Sequence, residues 1–450
     1  MHFTRRHLDR KSSGLLVAVS LLAAGAMAAS CSSSDDPDAA PADDAGPDLD
    51  ASSSPDDAAV DSPSLQDAGS VDASPLPIVC TSKPCAISLV TTLGANHDDR
   101  SEGFCALLDD GTVACWGANG AGQLGRGEDG ASLDSANAAR VVGLSNVASL
   151  DHTCAVDASG GVWCWGTGPF LRPDAGASTT TERTPVKLDL PPATKVGMGH
   201  ATACAAASDG VRCWGSNANA QLGPLTAGPS DAGAPKTMPL PAGAPVRALA
   251  VGKATFVLRE DGTLVTWGGN PPIGRISPIF PDPYPQNVAQ GGIATADLVH
   301  DSACATAGGI GYCWGARVMS NTGSEIDRAL PRPVLAPEPL VQIATTRTFV
   351  GTAGALQRYR WCAVASSGSV YCWGFNESGQ AGDGTQDYAF EAVKVDGLPE
   401  TAAEVKTTPN TTCALLTTGK VRCWGSNFYG QLGNGQIRGR SLEPAEVVLP

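Results

Sequence analysis

The sequence predicts an all-β protein: a seven-bladed β-propeller of about 50-residue repeats, with disulfide-stapled hairpins, preceded by a disordered acidic tether. The main observation is the dipeptide Trp-Gly, which occurs seven times at intervals of 47 to 59 residues. Self-similarity at such a period indicates an array of four-stranded units, and closing seven of them into a ring removes exposed sheet edges. The repeated tryptophans are Trp116, Trp165, Trp214, Trp267, Trp314, Trp373 and Trp424.

Each Trp-Gly follows a predicted β-hairpin. In the first copy, two apolar runs flank Asp109-Asp110-Gly111, and every copy ends this turn with glycine, which supplies a left-handed conformation at no steric cost. If Asp110 is the centre of the turn, Cys105 faces Cys115. Opposed residues at a non-hydrogen-bonded site of antiparallel strands have Cα atoms roughly 4.5 Å apart, within reach of a disulfide.

Cysteine pairing supports this register. The fourth copy has Phe256 and Thr266 in place of both cysteines, and cysteines lost together indicate cysteines that are bonded together. This many cysteines fit an oxidising compartment better than a reducing one. The six predicted hairpin disulfides join Cys105 to Cys115, Cys154 to Cys164, Cys204 to Cys213, Cys304 to Cys313, Cys362 to Cys372, and Cys413 to Cys423.

Three cysteines remain. Cys80 and Cys85 are expected to form a small loop disulfide; their spacing differs from that of a zinc knuckle and no histidine lies beside them, which disfavours a metal site. Residues 1–30, basic and then apolar, resemble a bacterial lipoprotein signal peptide, after which Cys31 becomes the lipidated first residue. A plain secretory signal is the alternative, and Arg5-Arg6 leaves twin-arginine export open.

Residues 31–79 are predicted to be a disordered tether. They contain twelve Asp and no Lys, Arg or aromatic residue, so they cannot bury enough apolar surface to fold. Their aspartates lack the ligand spacing of a calcium loop. The tether carries −12 of the net charge of −15 and the signal +3, which leaves −6 for residues 80–450. That domain has no basic stripe, so nucleic-acid binding is not expected.

Residues 80–450 are assigned to the propeller. Between hairpins, segments such as Thr184–Leu188 and Glu391–Val395 supply a further strand of each blade. The chain ends on a similar segment, Glu443–Leu449, with no hairpin after it. We therefore expect this last strand to complete the first blade and close the ring.

The repeats resemble a known family. The pattern Trp-Gly-x-Asn-x-x-Gly-Gln-Leu-Gly at Trp116–Gly125 and Trp424–Gly433, with partial copies at Trp214–Gly223 and Trp373–Gly382, is similar to the regulator of chromosome condensation repeat. The resemblance implies a seven-bladed propeller. It implies less about function, since an export signal and disulfides argue against the guanine-nucleotide exchange activity of the family's nuclear founder.

No catalytic or cofactor site is predicted. The chain has no nucleophile motif, phosphate loop or cofactor fingerprint, so we expect a protein that is not an enzyme and needs no cofactor or metal. His152, His200 and His300 precede the hairpins at related positions, where the resemblance implies structural hydrogen bonding. We expect equivalent residues on different blades to lie far apart, which argues against a shared metal site.

The favoured hypothesis is an exported protein-interaction or scaffold module, a monomeric ring lipid-anchored to the outer membrane. The alternative is a propeller that binds, or hydrolyses, carbohydrate or an envelope polymer. Blade six carries an insertion of 12 residues relative to blade two, and arginine and aromatic residues are enriched in protein-binding hot spots. The candidate partner contacts in it are Arg347, Arg358, Tyr359 and Arg360; the long loops at Gly168–Glu182 and Pro271–Gln286 are the alternative contact surfaces.

Overall fold

The computed structural model describes residues 73–93, 102–127, 133–173, 178–225, 233–319, 325–346, 349–350, 356–357 and 360–450. Seven four-stranded antiparallel sheets follow one another along this chain, which confirms the seven-bladed β-propeller. The signal peptide, Cys31 and most of the tether lie outside the described residues and stay predictions. Within the described ranges, no helix has the length and apolar character to cross a membrane.

Each blade takes four strands that are consecutive in the chain, apart from a small ribbon inserted in blade six. Blades one to four consist of β1 (Ala86–Thr91), β2 (Gly103–Leu108), β3 (Val113–Gly117) and β4 (Ser135–Arg140); β5 (Val147–Asp151), β6 (Cys154–Asp157), β7 (Val162–Gly168) and β8 (Thr180–Lys187); β9 (Ala193–Met198), β10 (Thr202–Ala207), β11 (Gly210–Gly215) and β12 (Gly233–Met238); and β13 (Val246–Val251), β14 (Ala254–Arg259), β15 (Leu264–Gly268) and β16 (Asp282–Asn287).

The remaining blades follow the same plan, and a short 3-10 helix, Pro169–Leu171, lies between β7 and β8. Blades five to seven consist of β17 (Ile293–Val299), β18 (Ser302–Ala307), β19 (Ile310–Met319) and β20 (Glu325–Pro333); β21 (Leu340–Thr345), β24 (Arg360–Ala365), β25 (Val370–Gly374) and β26 (Ala389–Lys394), with the inserted ribbon β22 (Phe349–Val350) and β23 (Leu356–Gln357); and β27 (Ala402–Thr407), β28 (Thr411–Leu416), β29 (Val421–Ser426) and β30 (Arg440–Glu446).

The predicted hairpin register is confirmed. Cys105 pairs with Cys115 across β2 and β3, and their Cα atoms lie 4.1 Å apart. The other five hairpin disulfides form as predicted, as does Cys80–Cys85. In blade four, Phe256 faces Thr266 where the other blades carry the disulfide.

Adjacent blades are joined through the tryptophans of the repeat. The Nε1 atoms of six Trp-Gly tryptophans each donate a hydrogen bond to a backbone carbonyl of the preceding blade, at 2.7 to 2.9 Å. Trp424, for example, donates to Gln380. The last glycine of the motif is also required, because Gly382 has a φ of 74° and a Cβ there would lie 2.6 Å from the Trp424 ring. The spacing that the repeats of this chain share therefore reflects a contact between neighbouring blades.

The ring closes by this same contact, and the predicted closure by a borrowed strand is wrong. Blade one has its own fourth strand, β4, and the last strand, β30, pairs with β29 in blade seven. Trp116 of blade one donates to the Gln431 carbonyl of blade seven at 2.9 Å. Blades one and seven also share one buried apolar cluster, which includes Leu89, Trp116, Leu415 and Val447.

Polar side chains on the first strands fasten the centre of the ring. Carboxylates in blades two, five and seven each accept a hydrogen bond from a backbone N–H of the next blade around the ring. Glu404, for example, accepts from the Leu89 N–H at 3.1 Å. Lys406 lies 3.0 Å from Asp297. Burial raises the pKa of Glu404, whereas for Lys406 the attraction of Asp297 and Glu404 outweighs burial and raises its pKa.

Candidate interaction face

The two ends of the ring differ in their connections. Antiparallel strands alternate in direction, so the links from first to second and from third to fourth strand leave every blade at one end, named here the long-loop face. It carries the longest links, such as 118–134, 269–281 and 346–359. The opposite, short-turn face carries the tight hairpin turns, such as 109–112. Loops on a rigid scaffold are where binding residues concentrate.

Two links near the centre of the long-loop face stand out, because most first-to-second links are only two or three residues long. They are 92–102 in blade one and 346–359 in blade six, and both end beside the inner turn of blade seven. Glu102 accepts hydrogen bonds from Thr408 and Asn410 on one side of that turn. Arg360 donates to the Thr408 carbonyl, at 2.6 Å, from the other side. The described ends of the two insertions therefore flank blade seven on one face.

Arg360 is a buried structural residue, so its prediction as a partner contact is wrong. Its side chain is 1% exposed and its guanidinium also donates to the carbonyls of Pro409 and Thr411. Burial lowers the pKa of Arg360 to about 9 against the opposing influence of Glu102. Burial likewise raises the pKa of Glu102. The other candidate contacts, Arg347, Arg358 and Tyr359, lie outside the described residues and stay predictions.

The alternative loop in blade four is described in full, and its base is rigid. Arg275 and Asp282 form a buried ion pair of 2.6 Å across the loop. The Asp282 carboxylate also accepts from the Ser277 hydroxyl at 2.7 Å and from the Tyr284 N–H at 3.0 Å. Thr266, which replaces a hairpin cysteine, donates to the Ile273 carbonyl at 2.6 Å. Blade four therefore uses the position of its missing disulfide to fix this loop.

This loop projects uncharged apolar side chains into solvent. We name the segment Ile276–Pro281 the apolar projection. Ile276 is 79% exposed and Phe280 77% exposed, and Ile279 beside them is 42% exposed. Single exposed hydrophobic residues are ordinary, but several on one rigid loop are typical of a contact surface. The apolar projection is thus the described part of the long-loop face best suited to bind a protein.

The ion pair at the base persists over a wide pH range. Burial alone would raise the pKa of Asp282, but hydrogen bonds from Ser277 and the Tyr284 N–H, together with Arg275, outweigh it and hold that pKa below its usual range. Asp282 is therefore charged at neutral pH, and its pairing with Arg275 contributes stability above the usual Asp pKa of about 4.

The histidines differ in part from expectation. His152 contacts the Thr91 carbonyl through Nδ1 at 2.7 Å, in keeping with a structural role. The rings of His200 and His300, however, lie 6.1 Å apart although they belong to blades three and five. The expectation that equivalent residues lie far apart is wrong here, because the inner ends of the blades converge on the axis. Among the described residues, no three His, Cys, Asp or Glu side chains are grouped to hold a metal ion.

The motif that links the blades is also the part of the chain that a family model matches. Residues 92–123 and 405–431 match the model of the regulator of chromosome condensation (RCC1) repeat, and both stretches reach the motif positions that join neighbouring blades. These two stretches are therefore similar to RCC1 repeats, in a chain that folds as a seven-bladed propeller.

Proteins similar in sequence to this chain differ widely in what they are. The chain is 28% identical over 380 residues to the ultraviolet-B receptor UVR8 of Arabidopsis thaliana, covering 79% of this chain and 80% of the receptor. It is 28% identical over 131 residues to the E3 ubiquitin-protein ligase HERC2 of Mus musculus, of which it spans 3%, over 28% of this chain.

Solved structures share the fold. Human WBSCR16 aligns with a TM-score of 0.61 at 18% identity, over 75% of this chain and 95% of that one. Yeast RCC1 (Prp20) bound to Kap60 aligns with a TM-score of 0.59 at 18% identity, over 75% and 84%. At such identities the likeness concerns the fold alone.

Glu102 was not predicted as a partner of blade seven, and Arg360 was predicted to lie in the insertion. A signal for Arg360 was present: it lies two residues before Cys362, as Thr411 lies two before Cys413. Both positions face the glycine of Trp-Gly across the hairpin. Arg360 therefore belongs to the strand and not to the insertion. Glu102 gave no comparable signal, because its partners are more than 300 residues away in sequence.

Proposed function

We propose that this protein is an exported, lipid-anchored interaction module that binds a protein partner through its long-loop face and has no catalytic activity of its own. The observation that carries the proposal is the apolar projection of blade four. It combines strongly exposed Ile276 and Phe280 side chains with a base fixed by the buried Arg275–Asp282 pair. A rigid apolar loop loses little conformational entropy on binding. More of the free energy gained by burying its side chains therefore contributes to affinity.

The partner that fits this surface is a folded protein with an apolar pocket. Residues Ile276–Pro281 contain no charged side chain, so the contact relies on burial of apolar area and not on ion pairing. Burying a side chain such as Phe280 contributes about 1.5 to 3 kcal/mol. Yeast RCC1 (Prp20), which shares this fold, is itself found bound to another protein, Kap60. The tether and Cys31 would hold the ring near a membrane.

The test is site-specific photo-crosslinking in cells that export the full chain. A benzophenone amino acid replaces Phe280 in one variant and Phe390 in another; the two phenylalanines are 77% and 75% exposed, but Phe390 lies on β26 of blade six. We expect a discrete protein adduct from position 280 and none of the same size from position 390. Equal adducts from both positions, or lipid adducts alone from position 280, would contradict the proposal.

Substitution provides the second arm. The double variant Ile276→Ser, Phe280→Ser should lose the protein that is captured by the parent, whereas Phe390→Ser should retain it. Because all three side chains are exposed, thermal stability should change little in either variant. Undiminished capture by the double variant would place the contact elsewhere, with the blade six insertion as the next surface to test.

A further inference from the structure

One tryptophan of the chain differs from the other eight. Every other tryptophan is buried, whereas Trp163 on β7 is partly exposed. It lines an open groove of about 450 Å³ on the short-turn face, between the hairpin turn of blade two and the link that joins blades one and two. Sites for small ligands have volumes of roughly 300 to 1,000 Å³. The groove also faces away from the long-loop face and is separate from the apolar projection.

The Trp163 ring is held in one orientation. Its Nε1 donates to Asp157 Oδ2 at 2.7 Å. The other carboxylate oxygen accepts from the Ser159 hydroxyl at 2.6 Å and from the N–H groups of Ser159 and Gly161. Burial alone would raise the pKa of Asp157, but the bonds from Ser159 and Trp163 outweigh it and hold that pKa well below its usual range. The Lys187 ammonium lies 5.8 Å from the ring centroid.

The rest of the lining is polar and adaptable. Ser145, Asn146 and Ser159 present hydroxyl and amide groups along the groove, and Leu144 is its one aliphatic side chain of any size. Hydroxyls and amides both donate and accept hydrogen bonds. A single indole ring in a fixed orientation among such groups matches a sugar ring, which has an apolar C–H face and a rim of hydroxyls. The groove differs from the hot spot of a protein interface, because hot spots combine several apolar or arginine side chains in a centre that excludes water.

We propose that this groove binds a neutral oligosaccharide, with one sugar ring stacked on Trp163. The ligand is neutral because the ionised group of the groove, Asp157, already has both oxygens engaged within the protein. This site goes beyond the proposed function: it adds a carbohydrate ligand on the short-turn face to a protein partner on the long-loop face, and either holds without the other.

The test uses the full chain with chitohexaose, cellohexaose and maltohexaose as probes. Because Trp163 is the tryptophan that is not buried, it should account for most acrylamide quenching of the intrinsic fluorescence. We expect at least one sugar to bind with a Kd of about 10 mM or tighter and to protect the fluorescence from acrylamide. Saturation-transfer NMR on the sugar protons gives an independent measure of binding.

Three variants separate the site from general stability. Trp163→Ala should weaken binding by about tenfold or more. Ala158→Arg places a long side chain into the groove at an exposed position. It should weaken sugar binding as much as Trp163→Ala does, while the Trp163 side chain and the melting temperature stay unchanged. Tyr312→Ala is the matched control, because Tyr312 also lies one residue before a hairpin cysteine and is partly buried; its variant should bind like the parent.

The proposal is overturned if none of the three sugars binds with a Kd of about 10 mM or tighter, or if the Ala158→Arg variant binds sugar as well as the parent. It is also overturned if Trp163→Ala loses a captured protein while no sugar binds, since the groove would then be a protein contact. None of these results bears on crosslinking from position 280, so the two proposals fail independently.

Discussion

Replacing Arg360 tests whether the buried contacts around blade seven hold the centre of the ring. Arg360→Ala removes a guanidinium that donates to the backbone carbonyls of Thr408, Pro409 and Thr411. It also leaves the buried Glu102 carboxylate, held by the same turn, without the nearby positive charge. Glu102 and Arg360 influence each other by charge and not through a direct ion pair, so the cost of breaking a buried ion pair, about 3 to 5 kcal/mol, is an upper bound for this effect.

The individual contacts give a similar magnitude. A buried hydrogen bond to a charged group contributes roughly 1.5 to 3 kcal/mol, and the shortest two, to Thr408 and Thr411, are 2.6 and 2.5 Å. We therefore expect the free energy of unfolding to fall by about 3 to 5 kcal/mol. The entropy of unfolding is about 2.1 cal/mol/K per residue. Dividing the expected loss of free energy by the entropy of unfolding of the whole ring, residues 80–450, the melting temperature should fall by roughly 4 to 7 °C.

Calorimetry and urea unfolding of the purified chain measure both quantities. The control is Arg172→Ala, because Arg172 is 57% exposed and pairs with Glu182 at 3.4 Å on the surface; its loss should cost less than about 1 kcal/mol. The double variant Glu102→Gln, Arg360→Ala should lose less free energy of unfolding than the sum of the two single variants, because it no longer leaves the Glu102 charge buried without Arg360. An Arg360→Ala variant whose free energy of unfolding stays within about 1 kcal/mol of the parent would show that these contacts do not hold the centre of the ring.

Three further outcomes are expected. Trp424→Ala should lower the free energy of unfolding by about 3 to 5 kcal/mol in urea titrations, because its wholly buried ring also donates to Gln380; a loss below about 1 kcal/mol would contradict the contact between blades. Asp282 has a folded-state pKa below its unfolded value, so the stability that it contributes is complete above about pH 4 and is lost as pH falls through the folded pKa. The Asp282→Asn variant should therefore show a weaker dependence of the free energy of unfolding on pH in that acidic window. An unchanged pH profile would argue against a stabilising Arg275–Asp282 pair. Cys31→Ser should move the protein from membranes to the soluble fraction with an unchanged melting temperature, and retention on membranes after a high-salt wash would exclude the lipid anchor.

Hairpin pairing was predictable because its determinants are local. A turn glycine and two cysteines at fixed offsets define the register within about a dozen residues, and the loss of both cysteines in blade four served as an internal control. Cys105 and Cys115 therefore face each other as expected, with Cα atoms 4.1 Å apart. The seven-fold repeat of Trp-Gly likewise fixed the number of blades.

Ring closure was not predictable in the same way. The fourth strand of blade one, β4, reads Ser-Ala-Asn-Ala-Ala-Arg and contains no β-branched or aromatic residue, so it carries little strand signal. It forms a strand because β3 provides a paired edge. Because β4 was not predicted, blade one lacked a fourth strand and was assigned the last strand of the chain. In the structure that last strand completes blade seven. Tertiary pairing here overrides local propensity.

The contacts of the candidate site were hidden for a related reason. Glu102 meets Thr408 across 306 residues of sequence, and the exposure of Phe280 depends on how its loop leaves the ring. Periodicity describes positions that every blade shares. The residues that differ between blades, including Arg360, have surroundings that only the closed ring defines.

Blade four shows how the ring accommodates such a departure. It lacks both hairpin cysteines and the Asn-x-x-Gly-Gln motif after Trp267, yet Trp267 still donates to the preceding blade at 2.9 Å, so its place in the ring is kept. Thr266, at the lost cysteine position, instead binds the carbonyl of Ile273 in the following loop. The loop freed from the repeat pattern is thereby re-anchored by Thr266 and the Arg275–Asp282 pair, with its apolar tip in solvent. Because the ring does not require that tip to be apolar or exposed, binding is the role that explains both properties.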